Sequence, residues 1–209
     1  MAKPLPTPVR NHLTGLRLLV LFTVLCGLLY PLAVTGISQV AFSKQANGSL
    51  LKDSSGKVVG SSLIGQNFTV VSKDGKTVSP DPKLFQSRPS AAGADGYDPT
   101  ASAGSNKGTN DADLATTYTQ LKAAIAKFDG VSQSQVPPDA ITKSGSGLDP
   151  DISPQYAAIQ VNRVAQARGL TDGQVQALVR KYTKGRTVGF LGEPRVDVLQ
   201  LNLALTELG

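Results

Sequence analysis

Residues suited to chemistry concentrate in one stretch, Val136 to Pro154. Its centre reads Thr142-Lys143-Ser144-Gly145-Ser146-Gly147-Leu148-Asp149, two glycines set among hydroxyls. Glycine lets successive backbone N–H groups converge, and such a nest binds phosphate or carboxylate. Ser153-Pro154 follows at once, a helix-start signature, and a helix N-terminus attracts the same anions. A second reading stands beside this one: a tight surface turn that leads the chain into a capped helix. A Walker loop is excluded, because no Gly-Lys-Ser/Thr ends the stretch.

Other chemistries lack their parts. The single His, His12, lies near the N-terminus, and the single Cys is Cys26. No His or Cys pair is left for zinc, and no His for a Ser-His-Asp triad. Gly-x-Ser-x-Gly is absent. Asp95-Gly96-Tyr97-Asp98 lacks the alternating oxygen ligands of a calcium loop. The expectation is a chain with no catalytic residue, no metal site and no cofactor of its own.

The elements that position this stretch begin with a long apolar run. Leu18 to Phe42 carries no charge, and about 20 apolar residues suffice to cross a bilayer. Lys3, Arg10 and Arg17 precede it, while all fifteen acids lie after residue 52. The positive-inside rule therefore puts residues 1–17 in the cytoplasm as a basic tail, 18–42 across the membrane, and 43–209 outside as one soluble domain. A cleaved signal peptide is the competing reading; apolar character persisting through Ile37, Val40 and Phe42, with no clean Ala-x-Ala site, favours a retained anchor. Pro31 is placed to kink or end the helix. Gly15, Gly27, Ala33 and Gly36 would let a neighbouring helix approach.

The net charge of +6 falls to +3 for residues 43–209, too mild and scattered for nucleic acid, and the absence of Trp argues against a stacking platform. Turn chemistry at Asp53-Ser54-Ser55-Gly56 and Lys73-Asp74-Gly75-Lys76, between short apolar runs, predicts two hairpins within 43–86. Residues 87–110 form a long polar loop whose one large apolar side chain is Tyr97. Leu114, Tyr118, Leu121, Ile125 and Phe128 predict a helix stopped by Gly130. Ser153-Pro154 opens a second helix with Ala157, Val161, Val164 and Ala165 on its buried face. Thr171 and Gln174 form a capping box for a third, whose buried face is Val175, Leu178, Val179 and Tyr182. Val196 to Leu208 alternates like a strand but carries cap spacing at Asp197 and Gln200; we assign helix. The fold class is α+β: one N-terminal transmembrane helix, then a single soluble domain with a small β-region and several helices.

Many ordered motifs then point one way. They are the span ending in Tyr30-Pro31, Gly60-Ser61-Ser62-Leu63-Ile64-Gly65-Gln66, Phe85-Gln86-Ser87-Arg88-Pro89-Ser90 and Ser102-Ala103-Gly104-Ser105-Asn106. Thr142 through Pro154 and Leu191-Gly192-Glu193-Pro194-Arg195-Val196 complete the set. Over its whole length the chain resembles the KdpC family, an accessory component of the bacterial high-affinity potassium-transporting P-type ATPase (the Kdp system). It departs at Asp151, where the family often has His, at Asp197, where it often has Asn, and at Ser87, where Gly is frequent.

The resemblance implies a non-catalytic accessory subunit in the bacterial inner membrane. Its partners would be a channel-like potassium subunit, a P-type ATPase subunit and the lipid bilayer, with ATP and K+ handled by the complex. The family proposal makes it a catalytic chaperone that raises the pump's ATP affinity, with Ser144, Gly145, Ser146, Gly147, Leu148 and Asp149 as nucleotide or partner contact. That conflicts with an extracytoplasmic domain. The loop 87–110, with Arg88, Ser90, Ser105 and Asn106, and the stretch 142–154 are expected to form the contact face. The alternative is a membrane-anchored binding module of the cell envelope.

Overall fold

The structure, a computed structural model, describes residues 6–72 and 77–208. The chain divides into two compact units, residues 1–49 and 50–209.

The first unit is essentially one helix, Thr7–Ala41, 35 residues long. It starts well before the apolar run, because Pro6 and Pro8 suit a helix N-terminus and nothing in Thr7–Arg17 breaks it. Helix α1 (Thr7–Val24) passes into a π-helical turn, Leu25–Leu29, and then α2 (Tyr30–Ala41). Pro31 does not end the helix. It sits in the first turn of α2, directly after the π turn. Proline has no N–H and its ring crowds the carbonyl four residues back, so a widened turn there relieves both problems. No residue of this helix's most apolar window is buried. A single turn, α3 (Ser43–Ala46), follows.

The second unit opens with the two expected hairpins. Strands β1 (Leu50–Lys52) and β2 (Val58–Ser61) pair antiparallel, as do β3 (Thr69–Val71) and β4 (Val78–Pro80). Asp53 makes the first turn: its Oδ1 accepts from the Ser55 and Lys57 backbone N–H groups at 2.9 and 3.0 Å. The second turn, Lys73 to Lys76, lies outside the described residues.

Helix α4 (Ala112–Asp129) is capped by Asp111 and ends at Gly130, as its sequence predicts. Its apolar stripe is only half-buried, with Ile125 packed on the core and Ala126 and Asp129 the buried positions. A 3-10 turn (Gln133–Gln135) and α5 (Pro138–Ile141) lead to β5 (Asp151–Ile152), none of them foreseen. Helices α6 (Pro154–Arg168) and α7 (Asp172–Tyr182) carry the caps and buried faces expected of them, Leu178 and Tyr182 being partly buried.

Strands β6 (Thr183–Lys184) and β7 (Arg195–Asp197) complete a three-stranded sheet of order β5-β7-β6. The C-terminal segment becomes helix α8 (Val198–Thr206), where Asp197 Oδ1 accepts from the Gln200 N–H at 2.9 Å. The cap decides against the leucine alternation. The core lies among α6, α7, α8 and β7, with Phe85 delivered into it from the segment after β4.

Candidate functional site

The route to the site is a stretch without strand partners. Residues 81–90 belong to no helix or strand, with a turn at 82–84, yet Phe85 is fully buried. Buried backbone groups need partners, and here side chains supply them. Asn202 on α8 accepts from the Phe85 N–H at 2.8 Å and donates to its carbonyl at 2.9 Å. Gln160 on α6 treats Gln86 the same way, at 2.7 and 3.2 Å. Arg163 donates to the carbonyls of Asp81, Pro82 and Leu84.

Held by these bonds, the chain presents Arg88. Its guanidinium meets the Asp149 carboxylate at 2.8 Å and reaches the Thr142 carbonyl and hydroxyl at 3.3 and 3.4 Å. Its Nε is buried without a partner. The Ser90 hydroxyl donates to the Gly147 carbonyl at 2.6 Å and accepts from the N–H groups of Ala92 and Tyr97. The Tyr97 hydroxyl donates to the Arg88 carbonyl at 2.8 Å. Burial, with the Asp149 charge adding, pushes that hydroxyl up to about 12, so it remains a donor at neutral pH. Farther along, the Ala103 N–H and the Ser102 hydroxyl both donate to the Ser146 carbonyl, at 3.0 and 2.8 Å.

The two segments expected at the contact face are therefore bound together along their length. Gly147 makes this closure possible: its φ is +69°, and a Cβ there would lie 2.6 Å from the Ala103 carbonyl. Gly65 does the same from the β2 side. Its N–H donates to the Leu148 carbonyl, and a Cβ would overlap the Tyr97 ring.

Of the expected site residues, Arg88, Ser90, Gly147 and Asp149 are brought into direct contact. Ser144 is buried, Leu148 is half-buried, and Gly145 and Ser146 are exposed on the rim. Ser105 lines a small cavity of about 290 Å³ with Lys107 and Lys143. Asn106, at φ +52°, is exposed and apart from the others. Sequence reasoning misses Tyr97 and Gly65 as members of the site. The signal for Tyr97 is its isolation as the one large apolar side chain of a polar loop.

The N-terminus of α6 already has its anion. The Ser153 N–H and hydroxyl both donate to the Asp139 carboxylate at 2.8 Å, and the Ser153 hydroxyl caps Tyr156. Behind the loop a cleft of about 820 Å³ runs between Arg88, Pro89 and Ala94 on one wall and Leu121, Ile125 and Phe128 of α4 on the other. Among the described residues no group of His, Cys, Asp or Glu is arranged to hold a metal.

Two of the three family departures also meet. Asp151 and Asp197 face each other across β5 and β7. Burial, and then the Asp197 charge, push the Asp151 carboxyl up against the pull of Arg195, whose Nε lies 3.0 Å away.

Known proteins match this chain in sequence over nearly all of its length. A family model described as "K+-transporting ATPase, c chain" matches residues 12–207. A protein of Streptomyces avermitilis named potassium-transporting ATPase KdpC subunit is 51% identical over 205 residues, covering 93% of this chain and 92% of its own. A Caulobacter vibrioides protein of the same name is 53% identical over 186 residues, covering 88% and 87%. One from Streptomyces coelicolor is 46% identical and covers all of this chain and 97% of its own. With its motifs, its N-terminal apolar helix and its whole length accounted for, the chain belongs to the KdpC family of K+-transporting ATPases.

Proposed function

We propose that this chain is a membrane-anchored, non-catalytic subunit of a potassium-transporting ATPase complex, and that the joined segments 87–110 and 142–154 are its contact face for the channel-like and pump subunits. Residues 1–17 lie in the cytoplasm, 18–42 cross the bacterial inner membrane, and the domain 43–209 stands outside the cytoplasm. There it stabilises the assembly and covers the outer mouth of the potassium channel.

One observation carries the contact-face reading. Two segments with little regular structure are locked to each other by Arg88–Asp149, Ser90–Gly147 and Ala103–Ser146, while the rim they share is exposed and polar. A pre-ordered polar rim loses little entropy on docking and makes directional hydrogen bonds. The family's nucleotide role for Ser144 to Asp149 has less support. The Ser146 and Gly147 carbonyls are engaged inward, and Asp139 occupies the adjoining helix end.

Ser146→Trp and Asn106→Trp each place a bulky ring on an exposed position. Both should abolish recovery of the partner subunits in a mild-detergent pull-down through a C-terminal tag, and potassium uptake with it. Intact assembly and transport in both variants would sink the contact-face assignment.

A further inference from the structure

The connection between β6 and β7 is neither buried nor part of the contact face. It is a tight hairpin closed by reciprocal Thr187–Leu191 backbone bonds of 2.8 and 2.9 Å. Val188 holds φ +54°, a left-handed conformation unusual for a β-branched residue, and Gly189 follows at +84°. The turn displays its apolar side chains to solvent: Val188 is 77% exposed, Phe190 69% and Leu191 52%. Its base is fixed, since Val196 of β7 is fully buried.

The segment that carries this tip is basic. Residues 180–195 hold Arg180, Lys181, Lys184, Arg186 and Arg195 against one acid, Glu193, a net charge of +4. Residues 43–209 hold eighteen bases and fifteen acids, so outside this segment the acids lead by one. The whole positive excess of the domain thus sits in the segment that carries the hairpin. Arg186 is paired to Glu193 at 2.7 Å and Arg195 to Asp151 at 3.0 Å, whereas Lys181 and Lys184 make no ion pair among the described residues.

An apolar tip on a basic segment is complementary to an anionic bilayer surface. The apolar side chains enter the acyl boundary, and the bases remain among phosphates, each contributing roughly 1 kcal/mol near such a surface. We infer that the Thr187–Leu191 hairpin is a second membrane contact, seating Val188, Phe190 and Leu191 in the headgroup layer of an anionic bilayer. The inference rests on the reading that residues 18–42 span that bilayer.

The chain contains no Trp, so Phe190→Trp makes the tip carry the sole indole. The full chain is reconstituted into vesicles of equimolar phosphatidylglycerol and phosphatidylcholine, or of phosphatidylcholine alone. Emission should be blue-shifted and quenched by shallow doxyl-labelled lipid in the anionic vesicles. Quenching should fall severalfold in phosphatidylcholine or when Lys181→Glu and Lys184→Glu are added. Leu191→Trp repeats the measurement from a neighbouring position. An indole equally open to iodide in both vesicle types overturns the inference. So does one shielded only when the other subunits are present, without lipid quenching, which would make a protein the occupant. Retention of the same variants in membranes after alkaline carbonate reports the N-terminal anchor separately. Release overturns anchor and tip together, whereas retention without quenching overturns the tip alone.

Discussion

Arg163 and Arg88 hold the same strandless segment from opposite ends, under different conditions. Arg163 is buried, with a side chain 7% exposed against 2% for its partner Asp129. Its guanidinium is used throughout: Asp129 at 2.7 Å, Gln160 at 2.7 Å, three carbonyls, and the Phe128 ring 4.4 Å away. Burial pushes the Asp129 carboxyl up against the pull of Arg163, so the pair is kept at a desolvation cost that only full hydrogen bonding offsets. Arg88 is 22% exposed, its partner Asp149 28%, and its Nε has no acceptor. The first arginine belongs to a closed polar network inside the core. The second ends a network that stays open toward the surface. Rigidity is built at one end of the segment and presented at the other.

Breaking the buried end should cost most. Arg163→Met leaves Asp129 buried without its cation and strips three carbonyls, a loss of about 3–5 kcal/mol, seen as a collapse of thermal stability in detergent. Arg88→Met should cost only about 1 kcal/mol, because Asp149 is still reached by water. Its main effect should be faster protease nicking between residues 87 and 110 with the core transition nearly unmoved. Equal losses in the two variants would erase the distinction between closed and open networks. The smallest effect tests the facing acids. Because the folded Asp151 carboxyl titrates above its unfolded value of 3.8, its contribution to stability is present below 3.8 and lost as pH rises through the folded value. Asp151→Asn should therefore be the more stable protein at neutral pH by a few tenths of a kcal/mol, with the gap closing in acid. An unchanged difference across that range would show that neither burial nor the Asp197 charge displaces the Asp151 carboxyl.

The helices are legible in the sequence because their signals are local. Asp111, Ser153, Thr171 and Asp197 each cap the helix they announce, and the Asp197 cap overrules the alternating leucines after Val196. The sheet of β5, β7 and β6 is not legible. Its strands are two or three residues long, and pairings such as Ile152 with Val196 join distant positions without a periodic pattern. The site segments are recognisable by composition and motif, but their mutual locking is not. Ser90 to Gly147 and Ala103 to Ser146 are side-chain and backbone bonds between loops, for which no sequence period exists. Likewise, nothing local to residues 81–86 announces that Gln160 and Asn202 will serve as their missing neighbours.

That last dependence has a consequence in time. Phe85 takes its backbone partner from Asn202, 117 residues later. At about 5–20 residues per second, synthesis leaves Phe85 waiting on the order of 10 s for the helix that receives it. Gln160 and Arg163 emerge earlier, but until then the Phe85 backbone lacks its partner, whereas the N-terminal helix is complete after Ala41 and needs only local bonds. A nascent chain thus presents its first helix long before its joined loops exist.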